Sequence, residues 1–403
     1  MTKHYRQTTL STFVPHPAQS AVLESGTRHR VVACGRRWGK TALGQHEILM
    51  AASQNKTTWW LAPTYAMADP VWHALKATRA ADPRITIHES HRRLDFPAGG
   101  SITIHSTHHP DNLRGAGLDF VVLDEAAFMH PTVWPEIVRP MLLDRKGRAL
   151  FLSSPNGKNS FWELYQLGLR NARTWRSFHF PTSANPLLDP ADLEIIRQQT
   201  PERIWLTEYL AEFTDDQGHV FRDIRAAATA PLQVDPIPGT RYVVGLDWGR
   251  DVDYTALVVI DTDRSAVVHI ERFNQTTWQH QRGRILTLYH RWQPHRICAE
   301  ANAIGSPNIE ALQAEGLPIQ PFTTTARSKP DLIDSLALAL ERRDLTLPPD
   351  ETLLGELSTY TYQRLPSGTY RYTAPPGHHD DLVIALALAW HIAHQPAFTL
   401  DFA

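Results

Sequence analysis

Residues 30–41, RVVACGRRWGKT, constrain the fold more than any other stretch of this chain. An apolar strand enters a loop ending Gly39-Lys40-Thr41, and a helical pattern runs on to residue 52. A phosphate-binding loop needs that context, because backbone N–H groups and a helix N-terminus cradle phosphate oxygens. In such a loop Lys40 reaches the β- and γ-phosphates and the Thr41 hydroxyl ligates Mg²⁺. The usual first glycine would fall at Cys34, whereas here it is Gly35. Taken alone, the run could be a chance GKT at a helix start.

Residues 120–125, FVVLDE, supply the second half of the pattern. An apolar strand ends in two carboxylates: Asp124 suits the Mg²⁺ shell, and Glu125 suits a general base that polarises water. A lone Asp-Glu could be a helix cap, but the order after the loop favours ATP chemistry. Three weaker elements agree. Ser153-Ser154 begins a Ser/Pro/Gly turn after the next strand and could sense a γ-phosphate. Gln19, upstream of the loop, carries an amide that could read an adenine edge, or is a surface Gln. Arg114, beside glycines, could stabilise charge on a transferring phosphoryl group, or make a structural salt bridge.

Around these runs, β-rich and helical stretches alternate, which predicts an α/β fold with a mostly parallel sheet. Strands are expected at 30–33, 57–61, 84–88, 93–96, 101–105, 120–123 and 149–152, and helices at 40–52, 67–80, 161–169 and 201–213. Residues 215–240, rich in Asp, Pro and Ala, break the pattern and read as a linker, partly packed near Val220 and Phe221. Segment 1–214 is then one domain and 241–403 a second. The second opens with strands at 242–247, 256–261 and 267–273, close enough together to form an antiparallel meander. Helix 279–291, strand 296–299 and helices 308–315 and 329–343 follow. Residues 357–372 read as a hairpin turning at Pro366-Ser367-Gly368, and a last helix begins near Asp380.

The second domain carries its own candidate site. Asp247 ends its first strand, Glu300 ends the strand at 296–299, and Asp380-Asp381 open the final apolar helix. Three such points suit two Mg²⁺ or Mn²⁺ ions that clamp a scissile phosphate, since hard ions take oxygen ligands. Without metal, clustered carboxylates repel and their pKa values rise. A plain helix cap is the alternative for Asp380-Asp381. Asp251, Asp253 and Asp261 compete as ligands, and His378 and His379 could shuttle protons or stand in solvent.

Bulk properties narrow the class. A length of 403 residues allows two or three domains. The formal net charge of −2 leaves nucleic-acid binding to local basic strips. The small groups Arg36/Arg37, Arg92/Arg93, Arg282/Arg284 and Arg327/Lys329 are candidates for phosphate contacts, or form a solvated mixed-charge surface. Trp59, Trp60, Trp72 and Trp134 read as core. The two cysteines, Cys34 and Cys298, lie too far apart in sequence to suggest a disulfide framework. The apolar run 382–393 is short for a membrane span, and residues 1–13 lack the apolar stretch of a signal peptide, so a cytoplasmic protein is expected.

Several runs resemble the large terminase subunit of tailed bacteriophages, in family order: CGRRWGKT (34–41), LAPTYAMA (61–68), LRGAGLDFVVLDEAA (113–127), LSSPNGKNSFWELY (152–165), Ser328-Lys329 before a long helix, and HHDDLVIALALAW (378–390). The resemblance spans about Pro15 to Trp390. It implies an N-terminal P-loop ATPase joined to a C-terminal RNase H-like nuclease, with ATP and Mg²⁺ in the first site and two divalent metals in the second. Gly35, Arg36, Arg37, Trp38, Gly39, Lys40 and Thr41 then belong to the ATP loop. Arg114 matches the family's arginine finger acting on a neighbouring subunit, and Ser153 and Ser154 match its coupling motif. Asp247, Glu300, Asp380 and Asp381 match its acidic cluster.

The implied partners are double-stranded DNA, a portal protein, a small terminase subunit and further copies in a ring, with no membrane. The implied location is the host cytoplasm, transiently at the procapsid portal and not in the mature virion. Two other readings stay open: a helicase-like nucleic-acid ATPase with a nuclease module, and an inactive prophage-derived portal-binding protein.

Overall fold

The computed structural model describes residues 13–170, 173–214, 218–302, 305–365 and 369–394. The expectations for residues 1–12 and for the Pro366-Ser367-Gly368 turn lie outside them. The chain divides into two compact units, the first mainly Met1–Gln198 and Arg203–Asp216, the second mainly Gln217–Gln363 and Tyr370–Ala403.

The first unit is built on an eight-stranded sheet of β1 (His29–Cys34), β2 (Thr57–Ala62), β3 (Thr86–His88), β4 (Arg93–Asp95), β5 (Ser101–Ser106), β6 (Phe120–Asp124), β7 (Arg148–Ser153) and β8 (Trp175–Phe180), in the order β3-β4-β5-β2-β6-β7-β1-β8. From β5 to β8 all pairings are parallel, and β3 and β4 add an antiparallel edge. The strands are apolar on both faces because helices cover both. Val31, Ala33, Trp59 and Leu61 feed one core, while Val32, Cys34, Trp60 and Ala62 feed the other, at the two-residue period of a strand. Helices α1 (Pro17–Leu23), α2 (Lys40–Ser53), α3 (Tyr65–Lys76), α4 (Ser160–Arg170) and α5 (Pro190–Gln198) complete the unit.

The strand order positions the site. β7 lies between β6 and β1, and all three are parallel, so the loop after β1, the carboxylates after β6 and Ser153 at the end of β7 emerge side by side. Three features depart from the sequence reading. β8 is absent from it, although WRSFHF sets Phe178 and Phe180 at the two-residue spacing of a strand. The helix expected over 201–213 is a short α-helix, Glu202–Ile204, running into a wider π-type turn at Trp205–Tyr209. α5 escapes it because that helix buries none of its residues.

The second unit holds a five-stranded sheet of β9 (Tyr242–Asp247), β10 (Thr255–Asp261), β11 (Ala266–Phe273), β12 (Arg296–Glu300) and β13 (Ile319–Phe322), in the order β11-β10-β9-β12-β13. The first three strands are an antiparallel meander, and β12 and β13 run parallel to β9. Around it stand α6 (Trp278–Trp292), α7 (Gly305–Ala314), α8 (Ser328–Arg342), α9 (Glu351–Thr359) and α10 (Asp381–Ala393), with a separate hairpin of β14 (Thr361–Arg364) and β15 (Tyr370–Thr373). The expected hairpin over 357–372 therefore starts later. Asp350 caps α9 by accepting from the Thr352 and Leu353 N–H groups, and Leu353, Leu354 and Leu357 are buried, so residues 357–359 are helical. Part of the expected linker is core: Val220, Phe221, Ile224 and Ala227 are buried in the second unit.

One close approach fixes the geometry of that unit. α10 crosses β9 at Gly245, where an added Cβ would stand 1.8 Å from the Ala385 carbonyl oxygen and 2.5 Å from the Ala389 nitrogen. Asp247 lies two residues on along the strand, on the same face, and Asp381 lies one helical turn before Ala385. Gly245→Ala should therefore force α10 off the sheet. We expect a loss of about 1–3 kcal/mol in urea unfolding. An unchanged unfolding midpoint would mean that the contact is not needed.

Candidate active sites

The phosphate loop is held from several directions. Cys34 is fully buried as the last residue of β1, and the glycine follows at Gly35 because the chain is crowded there. A Cβ at Gly35 would stand 2.3 Å from Thr182 Oγ1 and 2.5 Å from the Tyr209 carbonyl oxygen. The Arg36 N–H donates to the Glu208 carbonyl at 2.6 Å, and the Arg36 guanidinium ion-pairs with the Glu208 carboxylate at 2.6 Å. Thr182 Oγ1 donates to the Arg36 carbonyl, and Asn185 Nδ2 to the Arg37 carbonyl, each at 2.8 Å. Arg37 and Gly39 both adopt positive φ, and Gly39 leads directly into α2. These contacts over-determine a backbone that L-residues rarely adopt.

Two of the expected ATP-binding residues support the loop through their side chains. Trp38 is fully buried and stacks on Phe180 with centroids 5.1 Å apart, so it anchors the loop from below. Gln19 is also buried. Its Oε1 accepts from the His16 N–H at 3.1 Å, and its Nε2 donates to the Gly39 carbonyl at 3.1 Å, so it ties α1 to the phosphate loop. Arg36, Arg37, Gly39, Lys40 and Thr41 do line one cavity of about 800 Å³.

The acidic residues after β6 meet this loop. Lys40 Nζ lies 3.2 Å from Glu125 Oε1. Burial alone would lower the Lys40 pKa, but Glu125, Cys34 and Asp124 outweigh it and hold the ammonium protonated. Asp124 is buried, and burial followed by the Glu125 charge pushes its carboxyl up. Glu125 itself adopts φ 54°, an unusual backbone for a glutamate. Ser153 Oγ is placed 3.2 Å from Glu125 Oε2 and accepts from the Ala127 N–H at 3.3 Å. Ser154 is buried beside it. Arg114 stands apart on an exposed loop, 3.3 Å from Asp111, and does not line the cavity.

The second site lies at the end of β9. β12 pairs with β9 so that Ala299 faces Leu246, which puts Glu300 beside Asp247. Asp247 Oδ1 accepts from the Trp248 N–H at 3.0 Å, and its carboxyl shares a hydrogen bond with Glu300. Burial first, then Glu300, Asp381 and Asp380, raise the Asp247 pKa well above the usual carboxylate range. Asp381 is pushed up to about 6, by burial and by Asp253, against the pull of the Tyr254 N–H, Arg272 and His379. Asp380 pairs with Lys329 at 3.6 Å. Two of the three rivals separate on geometry, while Asp253 stays near enough to Asp381 to raise its carboxyl. Asp261 lies at the opposite end of β10, where it accepts from the Asp263 and Arg264 N–H groups, and Asp251 is exposed beside Arg250.

Sequence reasoning missed the residues that hold this cluster. Buried Glu356 accepts from the Leu382 N–H at 2.8 Å, so it caps α10 from a different helix. Arg272 Nη2 lies 3.1 Å from Glu356 Oε1 and 3.7 Å from Asp381 Oδ2, with its guanidinium 3.5 Å above the Tyr254 ring. No local signal marks Glu356, because its partner is distant in sequence.

The donor set fits a hard divalent cation: it is all carboxylate, mutually repelling, and Asp381 Oδ2 is buried with no hydrogen-bond partner. Among the described residues, no three His, Cys, Asp or Glu side chains already close around one point.

Comparisons with known proteins identify both domains. Residues 32–226 match the model described as terminase large subunit, T4likevirus-type, N-terminal, and residues 244–391 match the terminase RNaseH-like domain. The large terminase subunit of Thermus virus P23-45 is 30% identical across 94% of this chain and 87% of its own length.

This chain belongs to the large terminase subunit family. As a large terminase it is an enzyme with an ATPase domain and an RNase H-like nuclease domain. The large terminase of another thermophilic bacteriophage shares the fold, with a TM-score of 0.55 at 16% identity over 93% of this chain and 97% of its own. The large terminase nuclease of phage G20c, solved with bound magnesium, is similar at 31% identity over 44% of this chain and 98% of its own, with a TM-score of 0.41. Among the described residues, no helix is long and apolar enough to cross a membrane.

The raised Asp247 carboxyl has a thermodynamic consequence for this terminase. A carboxyl whose pKa is higher folded than unfolded makes the native state lose stability as pH climbs above the unfolded value toward the folded one. Asn cannot ionise and can still accept from the Trp248 N–H. Asp247→Asn in EDTA at pH 8 should thus raise the melting midpoint by roughly 2–4 °C, equivalent to about 1 kcal/mol, while abolishing cleavage. A lower midpoint would contradict the repulsion described here.

Proposed function

We propose that this chain is the motor and nuclease of a viral DNA-packaging machine. It hydrolyses ATP to drive double-stranded DNA into a procapsid and cuts concatemeric DNA with a two-metal nuclease. The observation that carries the reading is the contact chain Lys40–Glu125–Ser153, which links a phosphate loop, a general base and a coupling residue on one sheet edge.

In the first site, Lys40 neutralises the β- and γ-phosphates, while Thr41 and Asp124 hold Mg²⁺. Lys40 cannot serve the phosphates and keep its ion pair with Glu125 unaltered. Nucleotide entry draws the lysine away, frees Glu125 to take a proton from water, and changes what Ser153 touches. Ser153 and Ser154 thereby report the state of the nucleotide. Arg114, exposed and outside the cavity of its own subunit, serves a neighbouring subunit's phosphates in a ring.

In the second site, Asp247, Glu300, Asp380 and Asp381 hold the divalent cations, Mg²⁺ or Mn²⁺. Such ions, when bound, supply the Lewis acidity that activates water and stabilises the leaving oxygen. Arg272 and Lys329 offset the excess negative charge, and Glu356 fixes the start of the helix that bears Asp381.

DNA is held through phosphates, not base edges, as a motor for any sequence requires. Several of the basic side chains are already committed. Arg92 pairs with Asp69, Arg93 with Asp95, and Arg284 with Glu271. The remaining partners of the packaging reading are a portal protein and a small terminase subunit. The work takes place in the host cytoplasm at the procapsid portal, and the protein is absent from the mature virion.

Two variants separate the sites. Lys40→Ala should abolish ATP hydrolysis, by a factor of at least about 10³, and prohead filling, while metal-dependent cutting persists. Asp247→Ala should stop cutting and leave ATPase activity intact. Loss of both activities in either variant, or ATP-dependent strand separation without packaging, would refute the assignment.

A further inference from the structure

The cavity beside the phosphate loop, about 800 Å³, is lined by apolar as well as by charged residues. Leu193 and Ile196 of α5 and Tyr209 line it together with the loop. α5 buries none of its residues, so these aliphatic side chains face the cavity without being sealed into a core. Tyr209 is backed by Trp205, the two rings stacked with centroids 4.8 Å apart and 17° between planes. The Tyr209 backbone is pressed against Gly35, and the neighbouring Glu208 carbonyl accepts from the Arg36 N–H, so this aromatic platform is registered to the loop itself.

Two polar facts complete the picture. Gln19 is joined to the loop rather than to the far part of the cavity: its amide bonds His16 and Gly39, and it is absent from the cavity lining. Asp192, in the first turn of α5, lines the cavity and is exposed. Its neighbour Asp189 is occupied in accepting from the Ala191 N–H at 2.8 Å.

We infer that the nucleoside of ATP binds between Tyr209 and the Leu193–Ile196 flank of α5, with the Asp192 carboxylate accepting hydrogen bonds from the ribose hydroxyls. This rests on the phosphate-loop reading above and extends it. Ala42, which follows Thr41 on α2, lines the same cavity, so the space continues past the β- and γ-phosphate end of the loop. A flat base gains from a rigid aromatic face and from aliphatic cover, whereas a phosphate gains from neither. A carboxylate is a strong acceptor for two adjacent hydroxyl donors and repels phosphate. The base is thus recognised by its face and the sugar by its hydroxyls.

The test is steady-state ATP hydrolysis by the full chain. Tyr209→Ala should raise KM for ATP roughly tenfold with kcat within about twofold, and Tyr209→Phe, which keeps the stack, should restore it. Asp192→Ala, a surface change, should raise KM for ATP about threefold or more and leave KM for 2′,3′-dideoxy-ATP unchanged. An unaltered KM for ATP in Asp192→Ala, or equal effects on ATP and the dideoxy analogue, would overturn the ribose assignment. If Tyr209→Ala folds and keeps its KM, the base assignment fails. Lys40→Ala distinguishes the two levels: if it still hydrolyses ATP, the phosphate-loop reading itself is wrong. If it is inactive while the Tyr209 and Asp192 variants behave as wild type, only the nucleoside site is wrong.

Discussion

The second unit depends on keeping like charges together inside a fold that would be easier to build without them. Asp247 is buried against Glu300 and near Asp381, and each raises the cost of ionising it. Such an arrangement persists only where packing leaves no alternative. Here the packing is specific: α10 is buried along nearly its whole length, and Gly245 lets its backbone touch β9. Moving Asp381 away from Asp247 would mean lifting that helix from the core. Glu356 and Arg272 then fix the helix start, one by capping the Leu382 N–H and the other by lying against both carboxylates.

The first unit reaches its site by strand order. Parallel β6, β7 and β1 deliver their loops to one edge, so Lys40, Glu125 and Ser153 meet although they are far apart in the chain. Here too backbone proximity sets the chemistry. Gly35 permits Thr182 and Tyr209 to lean on the loop, which explains why the glycine stands one place after the usual position. A side chain at that point would open the loop and loosen the grip on Lys40.

Much of this is legible without coordinates. Apolar runs that lead into the loop before Lys40-Thr41, into Asp124-Glu125 and into Asp247 are strands buried on both faces, and their polar ends are where chemistry can stand. What stays hidden is of three kinds. α5 buries nothing, so no apolar stripe announces it. α9 has its signal, Asp350 before leucines at helical spacing, but it runs straight into a strand and so reads as part of a hairpin. Supporting contacts such as Glu356 to Leu382, or Gln19 to Gly39, join residues that only the fold brings together, and no local pattern encodes them. Trp38 shows the converse: it sits inside a motif, yet its ring serves the core.

The central claim is that the Asp247 cluster is built to be neutralised by divalent cations. An anomalous difference map from manganese-soaked crystals of the full chain tests it most directly. The account predicts two peaks, roughly 3.5–4 Å apart, bounded by Asp247, Glu300 and the Asp380-Asp381 pair. Manganese bound elsewhere, with these carboxylates left empty or turned apart, would contradict it.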